Sequence, residues 1–142
     1  MRLAEPHFAR RVVERAGPEE MLQIADRNDD GTPDPEVITA ALVHADNIAN
    51  GYIATRYALP LAGSYDLLRT WAVSIARYFL HRDGAPDHVR DDYTDAIAGL
   101  KDIARGVVSL PGADGASPAA AAGTHAAIIP PETFSSSRLA GW

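Results

Sequence analysis

Apolar residues recur at three- and four-residue steps from Pro6 to Val108, and this period constrains the fold more than any other feature. The longest apolar stripe begins after Pro35 and continues to Ile53. Strand-like alternation of apolar and polar residues is absent from the sequence. The period predicts an all-α protein, a small antiparallel bundle of about five helices with an extended, flexible C-terminal tail.

Prolines, glycines and aspartates interrupt the helical period and predict the helix ends. Expected helices, listed by number, are 6–15, 19–25, 35 to about 56, a fourth ending near 81, and a fifth from 87 to about 107. On the fourth helix, Trp71, Tyr78 and Phe79 fall within the apolar stripe. We expect these three aromatic side chains to lie in the core, because aromatic residues at helical spacing usually do.

The composition changes after Leu110 and divides the chain into three parts. Residues 1–110 form the predicted helical domain. Residues 111–127 are almost entirely Ala, Gly, Pro, Ser and Thr, which predicts a flexible linker with too few large apolar groups to pack. Residues 128–142 regain apolar anchors and predict a docking tail that binds a partner, with Phe134 and Trp142 folding back on the same domain as the alternative. These anchors are Ile128, Ile129, Phe134, Leu139 and Trp142.

Several classes of function lack support in the composition. A formal net charge of -6 argues against a nucleic-acid clamp, since phosphate binding uses Lys and Arg surfaces. The chain has no cysteine, which excludes disulfides and thiolate metal sites. No apolar run has the length of a membrane span or the character of a signal peptide, so we expect a soluble, intracellular protein without a membrane partner. Neither a nucleophile elbow nor a phosphate-binding glycine loop is present, and we expect no enzyme activity and no required cofactor.

The segment from Asp26 to Asp34 is the sharpest local motif, because it matches the first half of a calcium-binding EF-hand loop. The candidate calcium ligands are Asp26, Asn28, Asp30 and Asp34. However, the twelfth loop position is Val37 instead of the bidentate glutamate. Asp, Asn and Gly also favour tight turns, so we interpret the segment as a structural turn and keep weak calcium binding as the alternative.

The five histidines lack the i, i+4 pairing of a helical zinc site. His44 lies near Asp46, and His81 lies beside Arg82 and Asp83. Such neighbours are usually surface pairs. We therefore assign no chemistry to either histidine.

Several stretches in combination resemble the Mu-like bacteriophage head-tail connector, or adaptor, family. The order of these stretches and the spacing between them agree with the family over nearly the whole chain. The stretches are Asp26-Arg27-Asn28-Asp29-Asp30-Gly31, Arg56-Tyr57-Ala58-Leu59-Pro60-Leu61, Ser74-Ile75-Ala76-Arg77-Tyr78-Phe79-Leu80-His81, Asp102-Ile103-Ala104-Arg105-Gly106, and the ending from Phe134-Ser135 to Gly141-Trp142. Ser136 and Ser137 depart from the family pattern, in which a charged pair is expected.

The resemblance implies a structural virion protein that forms a ring, expected to be a dodecamer, beneath the portal and joins the head to the tail. Its implied partners are further copies of itself, the portal protein, and tail-side connector or stopper proteins. DNA would pass through the ring without specific binding. The implied location is the neck of the virion, and the host cytoplasm during assembly.

One alternative reading of function stays open beside the connector. A calcium-binding helical interaction module would use the degenerate EF-hand-like loop between Asp26 and Asp34. Calorimetry distinguishes it from a structural turn, because calcium heat would disappear when Asp26 and Asp30 are changed to Asn.

Overall fold

A computed structural model describes residues 6–61 and 65–110, and five α-helices account for most of them. The helices are α1 Pro6–Ala16, α2 Pro18–Ala25, α3 Pro35–Ile53, α4 Asp66–Leu80 and α5 Asp87–Ala104. Pro18 and Pro35 occupy the first turns of α2 and α3, where a missing backbone N–H costs no helical hydrogen bond. The predicted all-α bundle is confirmed, and the predicted helix ends agree with the structure to within a few residues.

Helix α4 lies at the centre of the bundle and packs against α1, α3 and α5. Its residues Leu68, Ala72, Ile75 and Ala76 are fully buried. Each buried Leu or Ile side chain stabilises the fold by about 1.5–3 kcal/mol relative to an exposed one. The largest fully buried side chains come from all five helices and the segment after α5. They are Val12, Met21, Leu42, Ile53, Leu68, Ile75, Leu80, Val89, Leu100, Ile103 and Leu110.

The end of α5 is a Schellman cap built around Gly106. The N–H of Gly106 donates to the carbonyl of Ile103 at 3.0 Å, and the N–H of Val107 donates to the carbonyl of Asp102 at 2.9 Å. Gly106 has a φ of 80°, which suits glycine. The cap turns the chain back toward the end of α3.

Two of the stretches that carry the family resemblance meet at this end of the bundle. The guanidinium of Arg56 lies where a Cβ on Gly106 would stand. Tyr57, which follows α3, is buried, and its Oη accepts the N–H of Leu110 at 3.3 Å. The segment after α3 therefore holds the segment after α5 in place, and the described chain ends at Leu110 beside Tyr57.

The remaining predictions about domains concern the end of the chain. The predicted linker 111–127 and docking tail 128–142 lie outside the described residues. Within residues 6–61 and 65–110, none of the helices is both long enough and apolar enough to cross a bilayer.

Candidate assembly surface

A cluster of four rings lies at the surface where α3, α4 and α5 meet. The rings of Tyr78 and Tyr93 stack with centroids 4.1 Å apart, and the rings of His44 and Phe79 meet edge to face at 4.2 Å. Phe79 also lies 6.0 Å from Tyr93, which joins the two pairs. Aromatic pairs at such separations stabilise each other by about 0.5–1.5 kcal/mol. We call these four residues the aromatic cluster.

The prediction that Trp71, Tyr78 and Phe79 lie in the core is correct only in part, because Trp71 packs against the core whereas Tyr78 and Phe79 belong to the aromatic cluster. Trp71 and Tyr78 are only partly buried, and 37% of Phe79 is exposed. Phe79 shares the helical face of Ala72, Ile75 and Ala76 but lies in the last turn of α4, where that face is less covered. The helical period identifies the face of the helix but not how far along the helix α3 and α5 cover that face.

Two hollows flank the aromatic cluster and extend it along α3. The first, of about 450 Å³, has Phe79 and Leu80 on one side, with Arg27 and Arg82 at its edge. The second, of about 490 Å³, lies between α3 and α5; we call it the α3–α5 groove. Its lining is mostly apolar. The residues that line it are Asn47, Ile48, Gly51, Tyr52, Thr55, Tyr93 and Ile97.

An ionic cluster joins α2 to α4 beneath the surface. The Nε and Nη2 atoms of Arg77 donate to the two carboxylate oxygens of Glu20 at 2.8 and 2.6 Å. The Nε2 atom of His81 lies 2.8 Å from Glu20 Oε1. Only 8% of the Arg77 side chain is exposed. Such a two-pronged pair fixes the orientation of both side chains as well as their distance.

Helices α1 and α5 extend the ionic cluster on the other side of Arg77. Asp92 of α5 accepts from Arg15 of α1 at 3.1 Å and lies 3.9 Å from Arg77 Nη1. The Nε2 atom of His88 lies 3.4 Å from Arg77 Nη2. Because Arg77 only donates, this His88 nitrogen accepts in that contact. The cluster therefore links four of the five helices through Arg77.

Charge pairing in this cluster shifts two pKa values. The hydrogen bonds from Arg77 lower the pKa of Glu20, and His81 adds to the effect, while partial burial opposes it. The hydrogen bonds to Glu20 raise the pKa of Arg77, again against burial. The interpretation of His81 as a surface residue is wrong, since only 9% of its side chain is exposed. Its partner Glu20 lies 61 residues away in the sequence, so spacing along the chain gave no signal for the contact.

The loop from Asp26 to Asp34, between α2 and α3, is held by hydrogen bonds from its own backbone N–H groups to its side chains. The carboxylate of Asp26 accepts the N–H groups of Asp30 and Gly31, and Asp34 accepts the N–H of Arg27. The side-chain Oδ1 atom of Asn28 also accepts the N–H of Asp30. The hydroxyl and N–H of Thr32 lower the pKa of Asp30. These bonds are those of a tight turn.

Among the residues that the structure describes, no three His, Asp or Glu side chains are grouped to hold a metal ion. The four candidate calcium ligands lie in one loop, and calcium binding by Asp26, Asn28, Asp30 and Asp34 stays a prediction. The predicted partner-binding residues lie outside the described part of the chain. Ile128, Ile129, Phe134, Leu139 and Trp142 are therefore carried forward as predictions as well.

Comparison with known proteins decides the family. The family model described as Bacteriophage Mu, Gp36 matches residues 9–128, which include all of the described helices except the start of α1. The chain belongs to the phage Mu Gp36 family. It is a bacteriophage protein, as the resemblance implied.

Two curated relatives agree with membership of the Gp36 family. The Mu-like prophage FluMu protein gp36 of Haemophilus influenzae is 38% identical over 77 residues, which are 54% of this chain and 55% of the relative. Gene product J of Escherichia phage Mu is 30% identical over 77 residues, with the same two shares. The chain thus spans about half the length of the curated relatives it matches.

Proposed function

We propose that this chain is a structural virion protein, a head-tail connector that forms a ring between the portal and the tail. Copies of the chain form the ring, which is proposed to hold twelve subunits. The portal protein binds on the head side, and connector or stopper proteins bind on the tail side. The ring lies in the neck of the virion, and it assembles in the host cytoplasm.

The observation that carries this proposal is the Gp36 family match over residues 9–128, together with the motifs that resemble head-tail connectors. One of those motifs, residues 74–81, supplies both Arg77 and His81 to the ionic cluster. The same motif supplies Phe79 to the aromatic cluster. The motif therefore contributes to the ionic contact between α2 and α4 and to an exposed apolar surface.

Exposed large apolar side chains support assembly with other copies. They occur on α2, α3, α4 and the segments after α3 and α5, so no single element carries them all. These residues are Leu22, Val43, Leu59, Leu67, Phe79 and Val107. A ring closed by rotation needs two different patches on each subunit, because each interface is heterologous. Apolar groups on several elements are compatible with that requirement.

The acidic character of the chain supports passage of DNA. The formal net charge is -6, and like charges discourage adhesion of phosphate groups. We propose that DNA slides through the ring without specific contacts. A ring lumen lined by Lys and Arg would contradict this part of the proposal.

The tail anchors of residues 128–142 are proposed to bind the portal. A weak contact for each tail, repeated around a ring, gives tight overall attachment. Sedimentation of the full chain mixed with portal protein of the same phage tests this step. We expect the chain to sediment with the portal at a fixed ratio, and Phe134→Ser with Trp142→Ser to abolish co-sedimentation. Glu14→Ser, on the exposed side of α1, is the control that keeps portal binding. Equal binding by the tail variant would contradict the assignment.

A further inference from the structure

The α3–α5 groove is an apolar surface bordered by tyrosine rings. Ile48, Tyr52, Tyr93 and Ile97 line it and are only partly buried in the helical domain. Tyr93 also belongs to the aromatic cluster, so the groove continues toward Phe79. Grooves of this kind bind extended proline-containing segments, because proline rings pack on aromatic faces and the segment loses little entropy on binding.

We propose that residues 128–134 of this chain occupy the α3–α5 groove of the same molecule. This segment reads Ile-Ile-Pro-Pro-Glu-Thr-Phe, with Pro130 and Pro131 between apolar residues on both sides. Proline restrains itself and the residue before it to extended backbone. The two prolines pack against Tyr52 and Tyr93, and Ile129 and Phe134 extend the apolar contact along the groove.

The position at which the tail leaves the helical domain favours this occupant. Leu110 is the last described residue, and its N–H bonds to Tyr57. Tyr57 lies two residues after Thr55, which lines the groove. The tail therefore departs from the end of the bundle at which the groove terminates.

The length of the linker favours the chain's own tail over that of another copy. Residues 111–127 are 17 residues, with a root-mean-square span of roughly 20–25 Å for a flexible chain. The 19-residue α3 is about 28 Å long, so the linker reaches the groove without being fully extended. A short flexible linker gives an effective concentration in the millimolar range. Another copy at micromolar concentration competes poorly with such a tethered segment.

Charged residues predict the direction in which the tail segment lies along the groove. Asp114 and Glu132 are the acidic residues after Leu110. Arg27 and Arg82 stand at the edge of the hollow beside the aromatic cluster. Glu132, adjacent to Pro131, pairs with Arg82 when the segment continues from the groove toward Phe79. Because Arg82 is exposed, the ion pair should fix the position of the segment along the groove more than it increases the affinity.

This inference does not rest on the proposed connector function. The groove shields the tail anchors from water while no portal is present, and the segment leaves the groove when the portal binds. Because the test below uses the chain without a portal, its failure leaves the portal proposal standing, and failure of portal binding leaves this one standing.

Fluorine NMR of the full chain labelled with 4-fluorophenylalanine tests the proposal. The chain has three phenylalanines, Phe8, Phe79 and Phe134, and Phe134→Leu assigns the tail resonance. We expect the Phe134 resonance of the native chain to lie away from its position in denaturant. Pro130→Ala with Pro131→Ala should remove at least half of that displacement, whereas Pro118→Ala, in the linker, should leave it unchanged. A native Phe134 resonance at the denatured position overturns the proposal.

A charge exchange between Glu132 and Arg82, which is exposed on the helical domain, tests the position of the segment along the groove. Glu132→Arg and Arg82→Glu should each reduce the Phe134 displacement, and the two together should restore it. Equal displacement in all three variants overturns the Glu132–Arg82 contact. The displacement should also be unchanged by tenfold dilution. A displacement that disappears on dilution indicates the tail of a second copy and overturns occupancy by the same molecule.

Discussion

Arg77 of α4 holds both carboxylate oxygens of Glu20 of α2, with Nε–Oε1 and Nη2–Oε2 distances of 2.8 and 2.6 Å. The pair bridges 57 residues of sequence and fixes the short α2 against the central helix. Since 8% of Arg77 and 19% of Glu20 are exposed, water screens the pair only weakly. The Nε2 atom of His81, one turn after Arg77, lies 2.8 Å from Oε1 of the same carboxylate.

Removal of Glu20 should destabilise the fold, because it leaves the buried Arg77 charge without its main partner. We expect Glu20→Ala to lower the free energy of unfolding by about 2–4 kcal/mol, measured by urea denaturation. Glu14→Ala is the matched control. Glu14 pairs with Arg10 on the exposed face of α1, and this pair should contribute at most about 0.5 kcal/mol. Equal losses of unfolding free energy in the two variants would show that burial of the Arg77–Glu20 pair adds nothing to its contribution to stability.

The same pair predicts sensitivity to acid. Because Arg77 holds the pKa of Glu20 below its ordinary value of 4.5, Glu20 stabilises the folded state above about pH 4.5. That stabilisation is lost as pH falls through the lower folded value. The stability difference between the native chain and Glu20→Gln should therefore be constant near neutral pH and shrink below about pH 4.5. Thermal unfolding of both proteins between pH 3 and pH 7 measures it. A difference that grows on acidification would contradict the assigned direction of the shift.

The helices were predictable from sequence, whereas the clusters between them were not. Proline at the start of α2 and α3 and the apolar stripe of α3 gave these elements directly. Glu20, Arg77 and His81 meet only after α2 packs on α4, so no local spacing predicted their contact. Phe79 was assigned to the core because the helical period locates the buried face of α4 but does not show that this face is uncovered in the last turn. The resemblance supplied the residue 74–81 motif, and the structure shows that the last turn of α4 and His81 contribute to both clusters.

The contact between Trp71 and Gly99 predicts that Gly99→Ala destabilises the protein, although alanine has the higher helix propensity. A Cβ on Gly99 would lie 2.6 Å from Cη2 and 2.8 Å from Cε2 of the Trp71 indole. Gly99→Ala should therefore destabilise the fold by about 1–3 kcal/mol, because α4 and α5 must separate or the indole must shift. Gly51→Ala, also inside a helix, has no atom of residues 6–61 and 65–110 within 4 Å of the added Cβ and should stabilise by about 0.5–1 kcal/mol. Thermal denaturation of the two variants measures both effects; stabilisation by both would contradict the close packing of α4 on α5.

Asp46 on α3 is a carboxylate whose removal should stabilise the protein. Its Oδ1 atom is buried and has no hydrogen-bond partner within residues 6–61 and 65–110, and burial raises its pKa. Asp46→Asn should gain about 0.5 kcal/mol at pH 7, since partial exposure screens the charge. Because the folded pKa is raised, this gain should vanish as pH falls toward the ordinary value of 3.8. Asp91→Asn, on the exposed side of α5, is the control that should change stability little. A loss of stability in Asp46→Asn at pH 7 would contradict this account.

The loop between α2 and α3 is predicted to act as a turn, with calcium binding as the alternative. Asp26 already accepts two backbone N–H groups, so we expect calorimetric titration of the full chain with calcium to give no saturable heat. Saturable heat that disappears in Asp26→Asn with Asp30→Asn would establish the calcium site instead.

Electron microscopy of the chain mixed with the portal protein of the same phage tests whether the chain forms a connector ring. We expect closed rings of this chain on one end of the portal, with twelve subunits around a central channel. Portals without added density, or chains attached singly without contacts to one another, would contradict it.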